Sequence, residues 1–245
     1  MAKFIFLGIT QGLSEFLPIS SSGHLYTLKR VFEIGENLFP FFLLLHLASL
    51  LAIGVVLHKE IRSALSNRNL LIQLGIITAV TFVFGFFIDY FLKWIFEVKF
   101  FISFCFLVNG VILLSITKKH MKRESQDIQL KDSLLLGVLQ ALAIFPGISR
   151  SGITIACMLR RGFHIRETFS FSFLMAIPAI LGAFLLKSRY IFNSGAPNYQ
   201  VIFGFIAAFI ASLIALKLVR RTLLHHRFAY FGYYCLIVSV VGLFL

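Results

Sequence analysis

Two short segments of this sequence place serine, glycine and ionisable residues inside otherwise apolar surroundings. The first is residues 15–24, EFLPISSSGH, and the second is residues 146–154, PGISRSGIT. Serines in front of a helix cap its N-terminus, and the exposed backbone N–H groups there bind phosphate. Arg150 adds a planar fork of donors that fits phosphate oxygens. We therefore expect the two segments to bind a phosphate group together.

The predicted phosphate ligands come from both segments, with one residue ahead of the first. They are Gln11, Ser20, Ser22, Gly23, Gly147, Ser149 and Ser151. For either run alone, close helix packing is an equally good interpretation, because small residues line helix contacts in membranes. The match between the two runs, one of which holds Arg150, favours phosphate binding.

Glu15 lies in the middle of an apolar segment, where a carboxylate is costly and indicates a functional site. Gln11 is four residues earlier, on the same face of a helix. Near a bound phosphate, Glu15 can hold a divalent cation such as Mg²⁺ or Ca²⁺, or it can accept a proton. The alternative is an ion pair with Arg150 that has no chemical role.

His24 directly follows Gly23 and is a candidate acid or base. It can accept a proton from a serine or from water, or give one to the leaving phosphate; the alternative is a hydrogen-bonded core histidine. We predict Ser21 as the nucleophile, because Ser21 is matched to Arg150 in the duplication described below. His46 is a weaker candidate that lines the pocket, and Asp89 is interpreted as structural.

The composition indicates a membrane protein, since 59% of the 245 residues are hydrophobic and 13% are charged, against about 25% charged in soluble domains. Six apolar runs are long enough to cross a bilayer. They are residues 39–57, 70–92, 100–117, 168–186, 199–219 and 228–245. Residues 4–32 and 133–160 are instead broken by Pro, Ser and Gly, which predicts re-entrant hairpins whose irregular backbone lines a protein cavity.

The two broken regions are related by a shift of 129 positions. Gln11 then meets Gln140, Ile19 meets Ile148, and Ser21 meets Arg150. This internal duplication divides the chain into repeat one, residues 1–117, and repeat two, residues 131–245. Each repeat has one hairpin and three spans, so the second must be inverted. The predicted fold is therefore an all-α polytopic membrane protein, with six transmembrane helices and two re-entrant hairpins in an inverted-topology repeat.

The net charge of +13 is explained by topology and contact with anionic membrane lipids, not by nucleic acid. Arg150 aside, 15 Lys and Arg residues fall on one side of the predicted spans and seven on the other. The richer side, which includes the loop at 118–131, is predicted to be cytoplasmic. Both termini and the mouth of the first hairpin then face outward.

The two motifs resemble those of the undecaprenyl-diphosphate phosphatase family of the bacitracin-resistance type. They are read as QGLSEFLPISSSGH at 11–24 and PGISRSGIT at 146–154, with weaker likeness at 172–178 and 227–234. The resemblance covers nearly the whole chain and adds Thr154 to the substrate ligands. Two departures stand out: Gln11 occupies an acidic position of the family, and Cys235 stands where an arginine is expected.

The resemblance implies hydrolysis of the terminal phosphate of a C55 isoprenyl diphosphate, which regenerates the lipid carrier for cell-wall synthesis. It also implies a divalent cation, with Glu15 as ligand, and a site open to the outer face of the bacterial inner membrane. The alternative is a polyprenyl-phosphate transporter or flippase, since inverted repeats and broken helices are shared with transporters. The sequence leaves open a homodimer, and it leaves open whether Ser21 or water attacks.

Overall fold

The computed structural model describes residues 1–32, 39–116, 123–124, 127–187 and 199–244. Throughout these residues the regular structure is helical, apart from a single bridge between Arg123 and Phe163. The α-helices are α1 (Ala2–Phe16), α2 (Ser21–Val31), α3 (Phe39–Val56), α4 (His58–Ser66), α5 (Arg68–Leu92), α6 (Lys99–Leu114), α7 (Leu130–Leu142), α8 (Arg150–Arg160), α9 (Ile165–Leu174), α10 (Ala176–Lys187), α11 (Tyr199–Leu224) and α12 (Phe231–Phe244). Short 3-10 turns occupy Lys93–Glu97 and Phe228–Tyr230. Half of the predicted cytoplasmic loop at 118–131, namely residues 118–122 and 125–126, lies outside the described residues.

Three helical stretches are long and apolar enough to cross a membrane: Arg68–Leu92, Ile165–Lys187 and Tyr199–Leu224. A fourth is added if Pro40–Val56 and His58–Ser66, which meet at a bend of 79°, are taken as one span. Shorter apolar helices cover Phe100–Leu114 and Phe228–Phe244. Each of the six predicted apolar runs thus coincides with helix.

The stretch predicted as one span at 168–186 is divided into α9 and α10 at Met175. Pro178 accounts for the break, because it lacks the N–H that would bond the carbonyl of Leu174 four residues earlier. Taken together, the two helices are still long and apolar enough to cross a membrane.

Both predicted hairpins are present as pairs of short helices joined by irregular turns. The turns are tighter than the sequence suggested, since α2 begins at Ser21 and α8 begins at Arg150. Ser20 has a φ of 66°, a conformation rare outside glycine, and Gly147 has a φ of 107°. A Cβ at Gly147 would also lie 2.7 Å from Cys105 Cβ, so glycine is required at this position.

The first helix of each hairpin packs against a long helix from the other half of the chain. α1 lies along α11 and α7 lies along α5, while α6 pairs with α12 and α3 contacts α10. The α1–α11 contact is very close: a Cβ at Gly8 would lie 2.2 Å from the Gly204 carbonyl oxygen, and one at Gly12 2.3 Å from that of Ala208. Small residues permit this approach, and it carries the first hairpin into the interior.

Candidate active site

The two hairpin turns meet and are hydrogen-bonded to each other. Ser20 Oγ accepts from the backbone N–H of Gly23, at 3.3 Å, and from that of Gly147 in the other hairpin, at 3.0 Å. Ser149 Oγ accepts from Gly152 N–H at 3.2 Å. The prediction that serines cap both helix starts is therefore confirmed, with Ser20 capping α2 and Ser149 capping α8.

Several predicted phosphate ligands are buried and engaged inside the protein. The hydroxyls of Ser149 and Ser151 lie 3.1 Å apart, and both donate to the Leu17 carbonyl, at 3.5 and 3.3 Å. Thr154 Oγ1 donates to the Arg150 carbonyl at 2.8 Å and lies 2.7 Å from Ser172 Oγ. These hydroxyls therefore join the hairpins and helices, and the prediction that Ser149, Ser151 and Thr154 bind substrate stays a prediction.

Asn109 of α6 is hydrogen-bonded to the turns of both hairpins. It was not predicted as a site residue. It is fully buried. Its Nδ2 donates to the Pro18 carbonyl at 2.8 Å, and its Oδ1 accepts from Ser149 N–H at 3.0 Å. Cys235 lies beside this pair, with Sγ 3.2 Å from Asn109 Nδ2. The position where the family has arginine is thus filled here by a small buried side chain against the first turn.

The carboxylate of Glu15 is in contact with the predicted catalytic residues Ser21 and Arg150. Its Oε1 accepts from Arg150 Nη2 at 2.9 Å. Its Oε2 accepts from Ser21 Oγ at 2.6 Å and from Gln11 Nε2 at 3.0 Å, and His46 Nε2 lies 3.7 Å from the same oxygen. Residues from α1, α2, α3 and α8 are thereby brought to one carboxylate. The ion pair between Glu15 and Arg150, considered as the alternative role for Glu15, is present. The same carboxylate also accepts a hydrogen bond from the predicted nucleophile, Ser21.

Two buried polar atoms beside this carboxylate lack a hydrogen-bond partner among the described residues. They are Arg150 Nη1 and Gln11 Oε1. An unpaired guanidinium nitrogen in a buried site is costly and indicates a place for an anion. The side chains are largely buried, with 13% of Arg150 and 8% of Glu15 exposed. The arrangement therefore offers a donor to an incoming anionic oxygen at the end of α8, where the helix dipole also favours negative charge.

The oxygen atoms here suit a hard divalent cation. Such cations bind carboxylate, amide and hydroxyl oxygens, which Glu15, Gln11 and Ser21 supply. The unpartnered Gln11 Oε1 adds a buried amide oxygen beside the carboxylate. In the part of the chain that the structure describes, no cluster of three His, Cys, Asp or Glu residues occurs, so any such cation would share its coordination with the substrate.

His24 does not pair with Ser21, which corrects the predicted nucleophile–base contact. Its Nδ1 lies 2.8 Å from the Ser20 carbonyl oxygen, and its Nε2 lies 2.7 Å from the hydroxyl of Tyr234. Phe106 meets the imidazole edge-on, with ring centroids 5.4 Å apart. The group that contacts the Ser21 hydroxyl is Glu15 instead. His24 belongs to a second polar cluster on the same helix, formed with α12.

Comparison with known proteins agrees with this site. The family model described as bacitracin resistance protein BacA matches residues 4–241 of the chain. The chain belongs to the BacA family. Family membership and the apolar helices together make it an integral membrane protein. Both motifs that build the Glu15 centre lie within the matched region.

Relatives of similar length carry one activity in their names. The undecaprenyl-diphosphatase of Thermosipho africanus is 36% identical over 98% of this chain and 98% of that protein. The undecaprenyl-diphosphatase of Methanococcus vannielii is 33% identical over the same shares. Undecaprenyl-diphosphatase 4 of Bacillus thuringiensis is 38% identical over 93% of this chain and 90% of its own. This BacA chain therefore spans nearly the full length of relatives named as phosphatases.

Proposed function

We propose that the protein hydrolyses the terminal phosphate of undecaprenyl diphosphate, giving undecaprenyl phosphate and inorganic phosphate, and so recycles the lipid carrier of peptidoglycan synthesis. One observation carries this function. The Glu15 carboxylate receives a hydroxyl from one hairpin and a guanidinium from the other, at 2.6 and 2.9 Å. A nucleophile, a proton acceptor and an anion ligand are then within one side-chain length of each other, as phosphoryl transfer requires. The named relatives support the same substrate.

The residues divide the work of phosphate binding and transfer. Arg150 offers its unpartnered Nη1 to the terminal phosphate and spreads its charge over the oxygens in the transition state. The Ser21 oxygen attacks phosphorus while its proton passes to Glu15, and the bridging P–O bond breaks to release the lipid monophosphate. Water then attacks the phosphoserine and frees phosphate, returning the proton to Ser21. Direct attack by water, with His24 as base, is the competing route.

We also propose a divalent cation at this centre, Mg²⁺ or Ca²⁺. Glu15, Gln11 and Ser21 would hold it through oxygen atoms, in keeping with the unpartnered Gln11 Oε1. When bound, the ion would neutralise phosphate charge. Arg150 donates to Glu15 Oε1, so the carboxylate would serve both the guanidinium and the ion.

The proposed membrane arrangement has six spans and two re-entrant hairpins related by inversion, with repeats at 1–117 and 131–245. Reciprocal packing supports it: α1 lies on α11 while α7 lies on α5, and α6 pairs with its counterpart α12. The Lys and Arg distribution supports outward termini and a site open to the outer face of the inner membrane. Labelling cysteines placed near residue 125 and at the C-terminus with an impermeant reagent in intact cells tests this; labelling of 125 alone would contradict it.

The lipid tail has an apolar environment available along the helices. The outer face of α5 exposes an aromatic series, in which Phe86 and Phe87 are 66% and 54% exposed and stack on Tyr90 and Phe91. Contact with anionic membrane lipids is proposed from the net charge of +13. A homodimer stays a prediction.

The experiment is phosphate release from undecaprenyl diphosphate by detergent-purified protein, with and without a chelator. We expect release by the wild type, loss of at least about 10²-fold in Glu15→Gln, and loss of activity in chelator that Mg²⁺ or Ca²⁺ restores. Absence of release by well-folded wild-type protein in every cation would refute the function. Full activity in excess chelator would refute the cation alone.

A further inference from the structure

Both ring nitrogens of His24 are engaged, and this determines how a proton can reach the residue. Nδ1 lies 2.8 Å from the Ser20 carbonyl oxygen. A carbonyl oxygen only accepts hydrogen bonds, so Nδ1 carries a proton. In the neutral imidazole Nε2 is then the bare nitrogen, and it accepts from the Tyr234 hydroxyl at 2.7 Å.

The surrounding groups hold this pairing in place. The His24 and Tyr234 rings are nearly parallel, at an interplanar angle of 10°, and Phe106 stands edge-on to the imidazole. The next residue along α12, Cys235, is fully buried with Sγ 3.2 Å from Asn109. This contact fixes the register of α12 against the first hairpin turn. The tyrosine comes from the last helix of the chain, 210 residues beyond the histidine.

We propose that Tyr234 is a proton-relay residue of the active site, through whose hydroxyl His24 exchanges protons with water or bound phosphate. The inference deepens the proposed function and rests on it. Because Nδ1 donates to a backbone carbonyl, Nε2 is the nitrogen able to take up a proton. Nε2 is hydrogen-bonded to the hydroxyl of Tyr234. Tyr234 is 42% exposed, whereas His24 is half-buried, so the tyrosine is the more exposed member of the pair.

The relay balances without any additional reagent. As water attacks phosphorus, its proton passes to the tyrosine oxygen while the tyrosine's own proton passes to His24 Nε2. The P–O bond between phosphorus and Ser21 breaks, and the Ser21 oxygen takes back the proton held by Glu15. The products are an imidazolium, an intact tyrosine, a free serine hydroxyl and phosphate. The reverse movement returns the proton to a phosphate oxygen. The other titratable and charged groups of the site are Glu15, Arg150 and His46, which lie together at the carboxylate centre.

The test compares Tyr234→Phe with Tyr233→Phe, which removes a hydroxyl from the neighbouring, 58% exposed tyrosine. Tyr234→Phe keeps the ring and its packing. We expect its kcat to fall on the order of 10-fold or more, with KM changed less than about threefold, while Tyr233→Phe retains the wild-type values. Because the two groups act as a unit, Tyr234→Phe combined with His24→Gln should be no slower than His24→Gln alone.

A second readout does not depend on turnover. Side-chain ¹⁵N spectra, with the His24 signals identified by their loss in His24→Gln, should show the Nε2 resonance displaced in Tyr234→Phe and unchanged in Tyr233→Phe. More than half the wild-type kcat in Tyr234→Phe, additive effects in the double variant, or an unmoved Nε2 signal would each overturn the relay. If wild-type protein released no phosphate, the proposed function would fail, and the ¹⁵N comparison would still decide the His24–Tyr234 contact.

Discussion

Replacing Arg150 by lysine separates the two roles that its geometry suggests. Arg150 Nη2 is bonded to Glu15 at 2.9 Å, and Nη1 is free to bind a phosphate oxygen. Lysine keeps the positive charge beside Glu15, but its single ammonium cannot serve the carboxylate and the phosphate in this forked geometry. Loss of one preorganised donor to a developing charge costs about 10²- to 10³-fold in rate. We therefore expect Arg150→Lys to lower kcat/KM by at least about 10²-fold.

Alanine at the same position should lower both activity and stability further, because it leaves the buried Glu15 carboxylate without the Arg150 guanidinium. Breaking a buried pair by removing one partner costs about 3–5 kcal/mol. Only 8% of Glu15 is exposed, so the upper part of the range applies if the carboxylate stays ionised. Arg150→Ala should thus lose stability as well as substrate binding, whereas Arg150→Lys should lose rate with a smaller change in thermal midpoint.

The assay is phosphate release by purified variants, alongside thermal melts in detergent. Arg161→Lys is a matched control, since Arg161 also pairs with a buried carboxylate, Asp132, at 2.6 Å, but at the other end of α8. It should retain the wild-type rate. The reasoning is refuted if Arg150→Lys keeps more than about half the wild-type rate, or if both lysine variants lose rate equally.

Three further changes test other parts of the site. Ser21→Ala should lose at least about 10²-fold in rate with lipid binding retained. Thr27→Ala, which removes a hydroxyl six residues further along α2, should keep more than half of the rate. Near-normal rate in Ser21→Ala would make water the attacking group. Asn109→Leu strands one acceptor and one donor of the hairpin turns, so thermal melts should show a loss of about 2–5 kcal/mol, and a change below about 0.5 kcal/mol would exclude the link. Burial raises the pKa of Asp132, but hydrogen bonds from Arg123 and Arg161 outweigh it and lower that pKa below its usual value. The ionised Asp132 carboxylate, held by the two arginines, therefore stabilises the protein above about pH 4, and this contribution is lost as the pH falls further. The difference in thermal midpoint between wild type and Asp132→Asn should shrink as the solution is acidified. A constant difference would contradict this reasoning.

The sequence was sufficient for the helices and for the meeting of the hairpins. Apolar length determines where helices can lie, and the duplicated Pro, Ser and Gly pattern marked both breaks. Serine caps follow from local chemistry, so Ser20 and Ser149 were predictable at their positions. The convergence of Glu15, Ser21 and Arg150 followed from aligning the two repeats and is what the structure contains.

The partners of individual side chains were not predictable in the same way. Ser21 and His24 are three residues apart on one helix, yet the positive φ of Ser20 directs the turn so that Ser21 meets Glu15 instead. The partner of His24 comes from α12 and the bridge at Asn109 comes from α6. These contacts depend on tertiary packing between residues that are 40 to 210 positions apart, for which a single sequence carries no local signal.

The two hairpins contribute different groups to the Glu15 centre because their sequences differ at the decisive positions. The shift of 129 that pairs Ser21 with Arg150 also pairs Glu15 with Ile144. Ile144 packs against α5, where its Cδ1 would lie 2.6 Å from a Cβ at Gly85. A carboxylate at 144 would therefore meet an apolar helix surface, with no guanidinium, because the counterpart of Arg150 is a serine. The first hairpin supplies the Glu15 carboxylate and the Ser21 hydroxyl, and the second supplies the Arg150 guanidinium. Their contact creates a polar centre that neither hairpin could form alone.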